Sequence, residues 1–328
     1  MKSAIDKDQA EQGFRKIDIG FLKAESTELY DVFYRTQVFG SPKFVKFASN
    51  HPSHHEKVLK VIASGESTEE FYIHEEDLIK YHQQATQSLR TMISNPQIPL
   101  KKKTQKIYDL SKEVMKEFFN KHASEKILRS SEEVMSVMDQ CLTENGAGFH
   151  SISLITSKDY YTYTHSVNVG LFCMTYGIKT KMGQNDTRNL GLGGMLHDVG
   201  KVKIDSAVIN KNGKLTPEEF RVIQGHSMHG REILESMRCY ESNVIRMAGE
   251  HHERFNGGGY PDGLVGEEIA YFARICKVMD VYDALTTRRT YKKALAPIQA
   301  LTIMKKEMED EFDLQILDNF VKFMGPGL

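Results

Sequence analysis

The stretch Leu196-His197-Asp198-Val199-Gly200-Lys201 sets an imidazole directly before a carboxylate, at the end of an apolar, glycine-rich run from Leu190 to Leu196. A carboxylate has two oxygens and can bridge two cations, and the adjacent imidazole can hold one of them. Metal-assisted hydrolysis needs such an arrangement, with two ions about 3.5–4 Å apart. Alone, a His-Asp pair is better read as a helix end with a capped histidine. The company it keeps changes that reading. Seven of the 13 histidines fall between His150 and His252, and the candidate ligands are His165, His197, Asp198, His226, His251, His252 and Asp280. Their successive gaps are 32, 1, 28, 25, 1 and 28 residues. Each long gap leaves room for a helical hairpin to depart and return, so a bundle can gather them at one interior point. A His and carboxylate set without thiolate suits iron, manganese or a similar ion better than structural zinc.

Other groups around these ligands can meet a phosphate. Lys201 lies one turn past Asp198, within reach of an anion held there. Gly257-Gly258-Gly259-Tyr260-Pro261 follows His252, and glycines let backbone approach a ligand while proline fixes the exit. Arg288-Arg289-Thr290-Tyr291-Lys292-Lys293 follows Asp280, and its guanidinium and ammonium groups suit phosphate oxygens. His229, one turn after His226, is taken as a supporting or surface residue.

The elements that must position these groups are helices. From His150 the chain reads as six or seven helices joined by glycine-bearing turns, and Thr216-Pro217-Glu218-Glu219 is a helix start with a cap, a first-turn proline and a glutamate at the third position. Pro297 opens a last helical stretch toward Phe320. Upstream, residues 1–12 read as a polar tail. Strand-like runs follow at Ile17–Leu22, Leu29–Tyr34, Phe44–Phe47 and Phe71–Ile73, with helices expected at His54–Ala63 and Glu75–Met92. The expected organisation is α+β overall: a small α+β module over 1–94, linker helices over 95–146, and an all-α bundle with a buried binuclear metal centre over 147–328. The module's histidines (His51, His54, His55, His74, His82) read as surface or half-buried residues, and the module as regulatory or as an assembly surface whose apolar edges allow a homodimer.

Composition narrows the classes. With 328 residues, 40% hydrophobic, 27% charged and a net charge of −1, the chain reads as globular, with no bulk positive charge for polymeric nucleic acid. Four scattered cysteines without a CxxC read as buried free thiols in a reducing compartment. No run approaches 18 apolar residues and the N-terminus lacks a signal core, so a cytoplasmic protein without a membrane span is expected.

His197-Asp198-Val199-Gly200-Lys201, His251-His252-Glu253 and Asn256-Gly257-Gly258-Gly259-Tyr260-Pro261 resemble the HD-GYP family, the branch of the HD metal-dependent phosphohydrolases that acts on cyclic di-GMP. The resemblance runs from Tyr161–Ser166 through Val281–Thr286 to Tyr291–Ala294, over half the chain. It implies that His197, Asp198 and Asp280 hold one ion, with His165 on that side, and that Asp198 bridges to a second held by His226, His251 and His252. It makes Asp198 and Lys201 the catalytic residues. Lys201, Tyr260, Arg289 and Lys292 become substrate contacts. The implied cofactors are two divalent ions, Fe or Mn, and the implied reaction is hydrolysis of the 3′-5′ bond of cyclic di-GMP or a related cyclic dinucleotide. Activated water attacks phosphorus and the 3′ oxygen leaves, giving pGpG and, by a second cut, GMP. The alternatives are a non-catalytic metal-bound receptor, signalling through the module or through a protein partner at the module or the Gly-Tyr-Pro loop, and an HD hydrolase of another phosphate ester. Two positions depart from the family pattern. Tyr161 replaces a glutamate that supports a third metal, so two are expected. Asn256 replaces an aspartate, a change expected to weaken substrate affinity or loop order.

Overall fold

The structure, a computed structural model, describes residues 13–21, 30–38, 41–49, 60, 70–120, 124–145, 152, 156, 161–211, 213–288 and 293–325. The chain divides into two units, Met1–Ile98 and Pro99–Leu328.

In the first unit, β1 (Phe14–Ile17), β2 (Val32–Val38), β3 (Ser41–Ala48) and β4 (Phe71–His74) form an antiparallel sheet in the order β1-β4-β2-β3. Phe33 pairs with Tyr72, and Phe14 pairs with His74. The first strand sits earlier than the run 17–22 because the Asp18 carboxylate accepts the Gly20 N–H at 2.8 Å and turns the chain into a 3-10 segment. Helix α1 (Leu78–Ile93) buries Tyr81, Ala85, Leu89 and Ile93, a four-residue repeat on one face. His82 on that helix is buried, contrary to its expected half-exposed place, and burial lowers its pKa to about 4. His74 is half-buried against the rings of Phe14 and Phe33. The helix expected over 54–63 lies outside the described residues, apart from residue 60.

The second unit is helical. The helices expected as linkers, α2 (Leu100–Asn120) and α3 (Glu125–Asn145), belong to this unit. They bury Ile107, Leu110, Val114 and Phe118 on one and Leu128, Val134, Met138 and Leu142 on the other, so they are part of its core. Next come α4 (Thr162–Lys179), α5 (Gln184–Leu196), α6 (Ser206–Ile209), α7 (Pro217–Gln224), α8 (His226–Met237), α9 (Ser242–Glu250), α10 (Tyr271–Thr286), α11 (Pro297–Lys306) and α12 (Leu314–Met324). Helix α7 starts as its sequence demands: Thr216 Oγ1 accepts the Glu219 N–H and the Glu219 carboxylate accepts the Thr216 N–H. The last stretch divides at Asp313, whose carboxylate caps α12.

Glycine decides how closely these helices meet. A Cβ on Gly170 of α4 would lie 2.9 Å from the Gly191 carbonyl of α5, and one on Gly194 would lie 3.0 Å from the Gly170 Cα. The two helices therefore pack backbone to backbone. Past α5, the 3-10 segment Val199–Lys203 meets the start of α8 so tightly that a Cβ on Gly200 would fall 1.9 Å from the His226 carbonyl. Among the described residues no helix is long and apolar enough to cross a membrane. Cys141, Cys173 and Cys276 are buried free thiols, whereas Cys239 is exposed.

Gly200→Ala forces α8 away from this segment. It is expected to cost about 1–3 kcal/mol or more, read as a lowered melting temperature of the metal-free protein.

Candidate metal centre

Every candidate ligand except Asp280 sits at or near a helix end. His165 is in the first turn of α4, His197 caps the end of α5, and Asp198 opens the 3-10 segment. His226 opens α8, and His251 and His252 follow α9. Asp280 lies inside α10. These residues form two groups, His165-His197-Asp280 and Asp198-His226-His251-His252, and the ligand atoms of each lie within 4.8 Å of one another. All are buried except His252, which is half-buried. Asp198 lies between the groups. Its Oδ2 is 3.4 Å from His197 Nε2 and 3.8 Å from His165 Nε2, while its Oδ1 is 3.3 Å from His226 Nε2 and 3.9 Å from His251 Nε2. Lys201 Nζ donates to Asp198 Oδ2 at 2.5 Å.

Backbone carbonyls orient the rings. Nδ1 of His197 is 2.6 Å from the Gly194 carbonyl, Nδ1 of His226 is 2.6 Å from that of Ile223, and Nδ1 of His251 is 3.0 Å from that of Ala248. A carbonyl only accepts, so each Nδ1 carries a proton and the lone pair of each neutral ring is on Nε2, facing the centre. His165 is oriented by a carboxylate instead, with its Nδ1 2.7 Å from Asp283 Oδ2. Such outer hydrogen bonds fix the tautomer of a metal-binding histidine.

The residues fit divalent ions. Nε2 of His226 and Nε2 of His251 lie 3.2 Å apart, two acceptors facing each other if both rings are neutral. Asp198 Oδ1 and His197 Nε2 are buried without a hydrogen-bond partner. A cation at each group would satisfy these atoms, and a His and carboxylate donor set is suited to it.

The electrostatics divide the two groups. Burial opposes charge on His165, but its hydrogen bonds to Asp280 and Asp283 outweigh burial and raise its pKa to about 9. Burial likewise opposes charge on His197, and the Asp198 carboxylate more than offsets it, also to about 9. Burial lowers His226 to about 4, and burial with the neighbouring imidazoles holds His251 and His252 well below the usual range. Asp198 stays ionised: burial would raise its pKa, but Lys201 and His197 hold it well below the carboxylate range. Asp280 is held low in the same way, mainly by His165.

The loop after α9 closes one side. The Tyr260 ring stacks on His252 with centroids 4.8 Å apart. Buried Glu253 accepts the N–H groups of Asp262 and Gly263 on one oxygen and that of Leu264 on the other, which ties down the chain beyond Pro261. Asn256 bonds within and beyond this loop: its Oδ1 accepts the Gly258 N–H and its Nδ2 donates to Asp310 Oδ2 at 2.8 Å. An aspartate here would face Asp310 with like charge. Arg289 and Lys292 lie outside the described residues. His229 is not in either group and lies 3.5 Å from Glu232.

The sequence reading left Asp283, Asn168 and Glu253 without roles. Asp283 and Asn168 carry a readable signal, since each lies three residues past a candidate ligand and so shares its helix face. Glu253 has none, because its partners are backbone groups brought in by the loop.

A family model described as HD domain matches residues 150–316. The chain belongs to the HD domain family. This HD domain is related to the HD-GYP phosphodiesterases of cyclic di-GMP and cGAMP. The chain is 38% identical over 175 residues to a cyclic di-GMP phosphodiesterase of Pseudomonas aeruginosa, covering 53% of this chain and 42% of that protein. It is 33% identical over 160 residues to a 3'3'-cGAMP-specific phosphodiesterase of Vibrio cholerae, covering 49% of this chain and 35% of that protein. The chain thus spans less than half the length of these curated relatives. Among solved structures it resembles Bd1817, an HDG"Y"P protein of Bdellovibrio bacteriovorus, with a TM-score of 0.66, 16% identity, and coverage of 95% of this chain and 99% of that one. At that identity the likeness concerns the fold.

Asp283→Asn removes the charge that orients His165. It is expected to weaken the ion at the His165 group by roughly 10- to 100-fold, measured by competition with a chelator. In the metal-free protein His165 and His197 titrate at about 9, above the ordinary 6.5, and an ion must displace their protons. Affinity at that group therefore climbs with pH up to about 9 and then levels, which a pH series of Mn(II) titrations will read.

Proposed function

We propose that the HD domain hydrolyses the 3′-5′ phosphodiester bond of a cyclic dinucleotide, with cyclic di-GMP as the first candidate and pGpG and then GMP as products. The observation that carries this reading is the position of Asp198, whose two oxygens face two separate buried ligand groups. The relatives named for cyclic di-GMP and for 3'3'-cGAMP support the substrate class. Two divalent ions, Fe or Mn by their donor set, would lower the pKa of water and neutralise charge on phosphoryl oxygens when bound.

The chain's own residues have distinct roles in this reading. His165, His197 and Asp280 would hold one ion and His226, His251 and His252 the other, with Asp198 able to serve both. The carbonyls of Gly194, Ile223 and Ala248 keep three of the imidazoles aimed inward. Lys201, whose side chain is 15% exposed, sits at the rim and places an ammonium beside the scissile phosphate, where charge develops as the bond breaks. Tyr260, stacked on His252, walls the substrate side. Arg289 and Lys292 supply cations to a phosphate of the dinucleotide. The first unit, which shows no candidate metal group among its described residues, is assigned a regulatory or assembly role.

The test is an assay on protein purified without oxygen, loaded with Fe(II) or Mn(II), and given cyclic di-GMP or 3'3'-cGAMP, with linear products followed by chromatography. The expected result is a linear dinucleotide from at least one substrate, reduced by on the order of 100-fold or more in Asp198→Ala. Metal-loaded protein that binds either dinucleotide and never opens it would overturn the hydrolase and leave a receptor.

A further inference from the structure

We propose that Tyr108 is a positioning residue for the metal centre, acting on His165 through Asn168 and Asp283. It lies on α2, outside the residues 150–316 that match the family. The inference rests on the reading of His165 as a metal ligand.

Four side chains from three helices form one buried chain. The Tyr108 hydroxyl donates to Asn168 Oδ1 at 2.7 Å. Asn168 Nδ2 donates to Asp283 Oδ1 at 2.8 Å. Asp283 Oδ2 is 2.7 Å from His165 Nδ1, and the other ring nitrogen, Nε2, is 3.0 Å from Asp280 Oδ1. Tyr108, Asn168, Asp283 and His165 are each 2% exposed or less. Helical spacing explains the convergence: His165 and Asn168 share one face of α4, and Asp280 and Asp283 share the facing side of α10.

Donor and acceptor roles run one way along this chain. Asp283 accepts the Asn168 amide on Oδ1 and faces His165 Nδ1 with Oδ2, so Asn168 turns its NH₂ toward it. That leaves the Asn168 carbonyl oxygen pointing at α2, where a donor is required in the dry interior. The Tyr108 hydroxyl supplies it. Phenylalanine would keep the ring and remove the donor. Without that anchor the amide shifts toward another donor, and its hydrogen bond to Asp283 lengthens. Asp283 would shift and His165 would lose its fixed aim. Buried networks of this kind act as a unit, so a link two residues removed still reaches the ligand.

The test is metal affinity rather than turnover. Mn(II) or Fe(II) binding to the full chain is measured by chelator competition, and the step lost in His165→Ala identifies the ion at that group. Tyr108→Phe is expected to weaken that ion roughly 3- to 10-fold, a fraction of the 10- to 100-fold usual for a direct outer partner, and to leave the other ion unchanged. Asn168→Ser, which cuts the chain from α4, is expected to give the same selective loss. The double variant Tyr108→Phe/Asp283→Asn should be no weaker than Asp283→Asn alone, because the two act through one path. Additive losses, equal loss of both ions, or unchanged affinity in Tyr108→Phe would each overturn the proposal. Wild-type protein that takes up fewer than two ions would instead overturn the metal-centre reading itself, and this inference with it.

Discussion

A buried carboxylate between two sets of imidazoles is the constraint on which the second unit depends. Asp198 is 1% exposed, and an ionised carboxylate is costly away from water unless positive charge surrounds it. Lys201 and His197 supply part of that charge, yet one oxygen remains without a hydrogen bond. Asp280 and Asp283 add two more buried carboxylates across the site. An interior assembled this way favours cations within it, as protons on His165 and His197 or as metal. Burial, with the neighbouring imidazoles, leaves the second group neutral, with its lone pairs already turned inward.

Close backbone approach makes the assembly possible. Gly170, Gly191 and Gly194 let α4 and α5 approach closely, which sets His165 beside His197. Gly200 lets the segment after Asp198 sit against the carbonyl of His226, which brings the second group to the same carboxylate. The loop beyond His252 is then fastened from below by Glu253 and from the side by Asn256, with Arg231 paired to Asp262. Position thus comes from packing, and side-chain aim comes from carbonyls and outer carboxylates.

The family relation covers the site and leaves the surroundings individual. The residues matched by the HD domain model hold both groups of His and Asp, whereas α2 and α3 precede them and still contribute core side chains and the Tyr108 hydroxyl. Asn256 shows the same individuality. Its amide suits the neighbouring Asp310, so the change from the family's aspartate is matched locally.

Residue chemistry that is local in the chain was legible without coordinates. The adjacent His197-Asp198 and His251-His252 pairs, the long gaps between candidate ligands, the cap at Thr216 and the proline at 217 all act within a few residues or carry a recognisable order. The division into a strand-bearing first part and a helical second part was legible for the same reason, because side-chain periodicity reflects which faces are buried. What needed tertiary structure was every property that depends on distant partners. Only packing could bury His82, draw the helices over 100–145 into the core of the second unit, and give Asp283, Asn168 and Glu253 their partners. Those partners lie up to 118 residues apart in the chain, as His165 and Asp283 do, and spacing along one helix tells which face a side chain occupies but not which helix faces it.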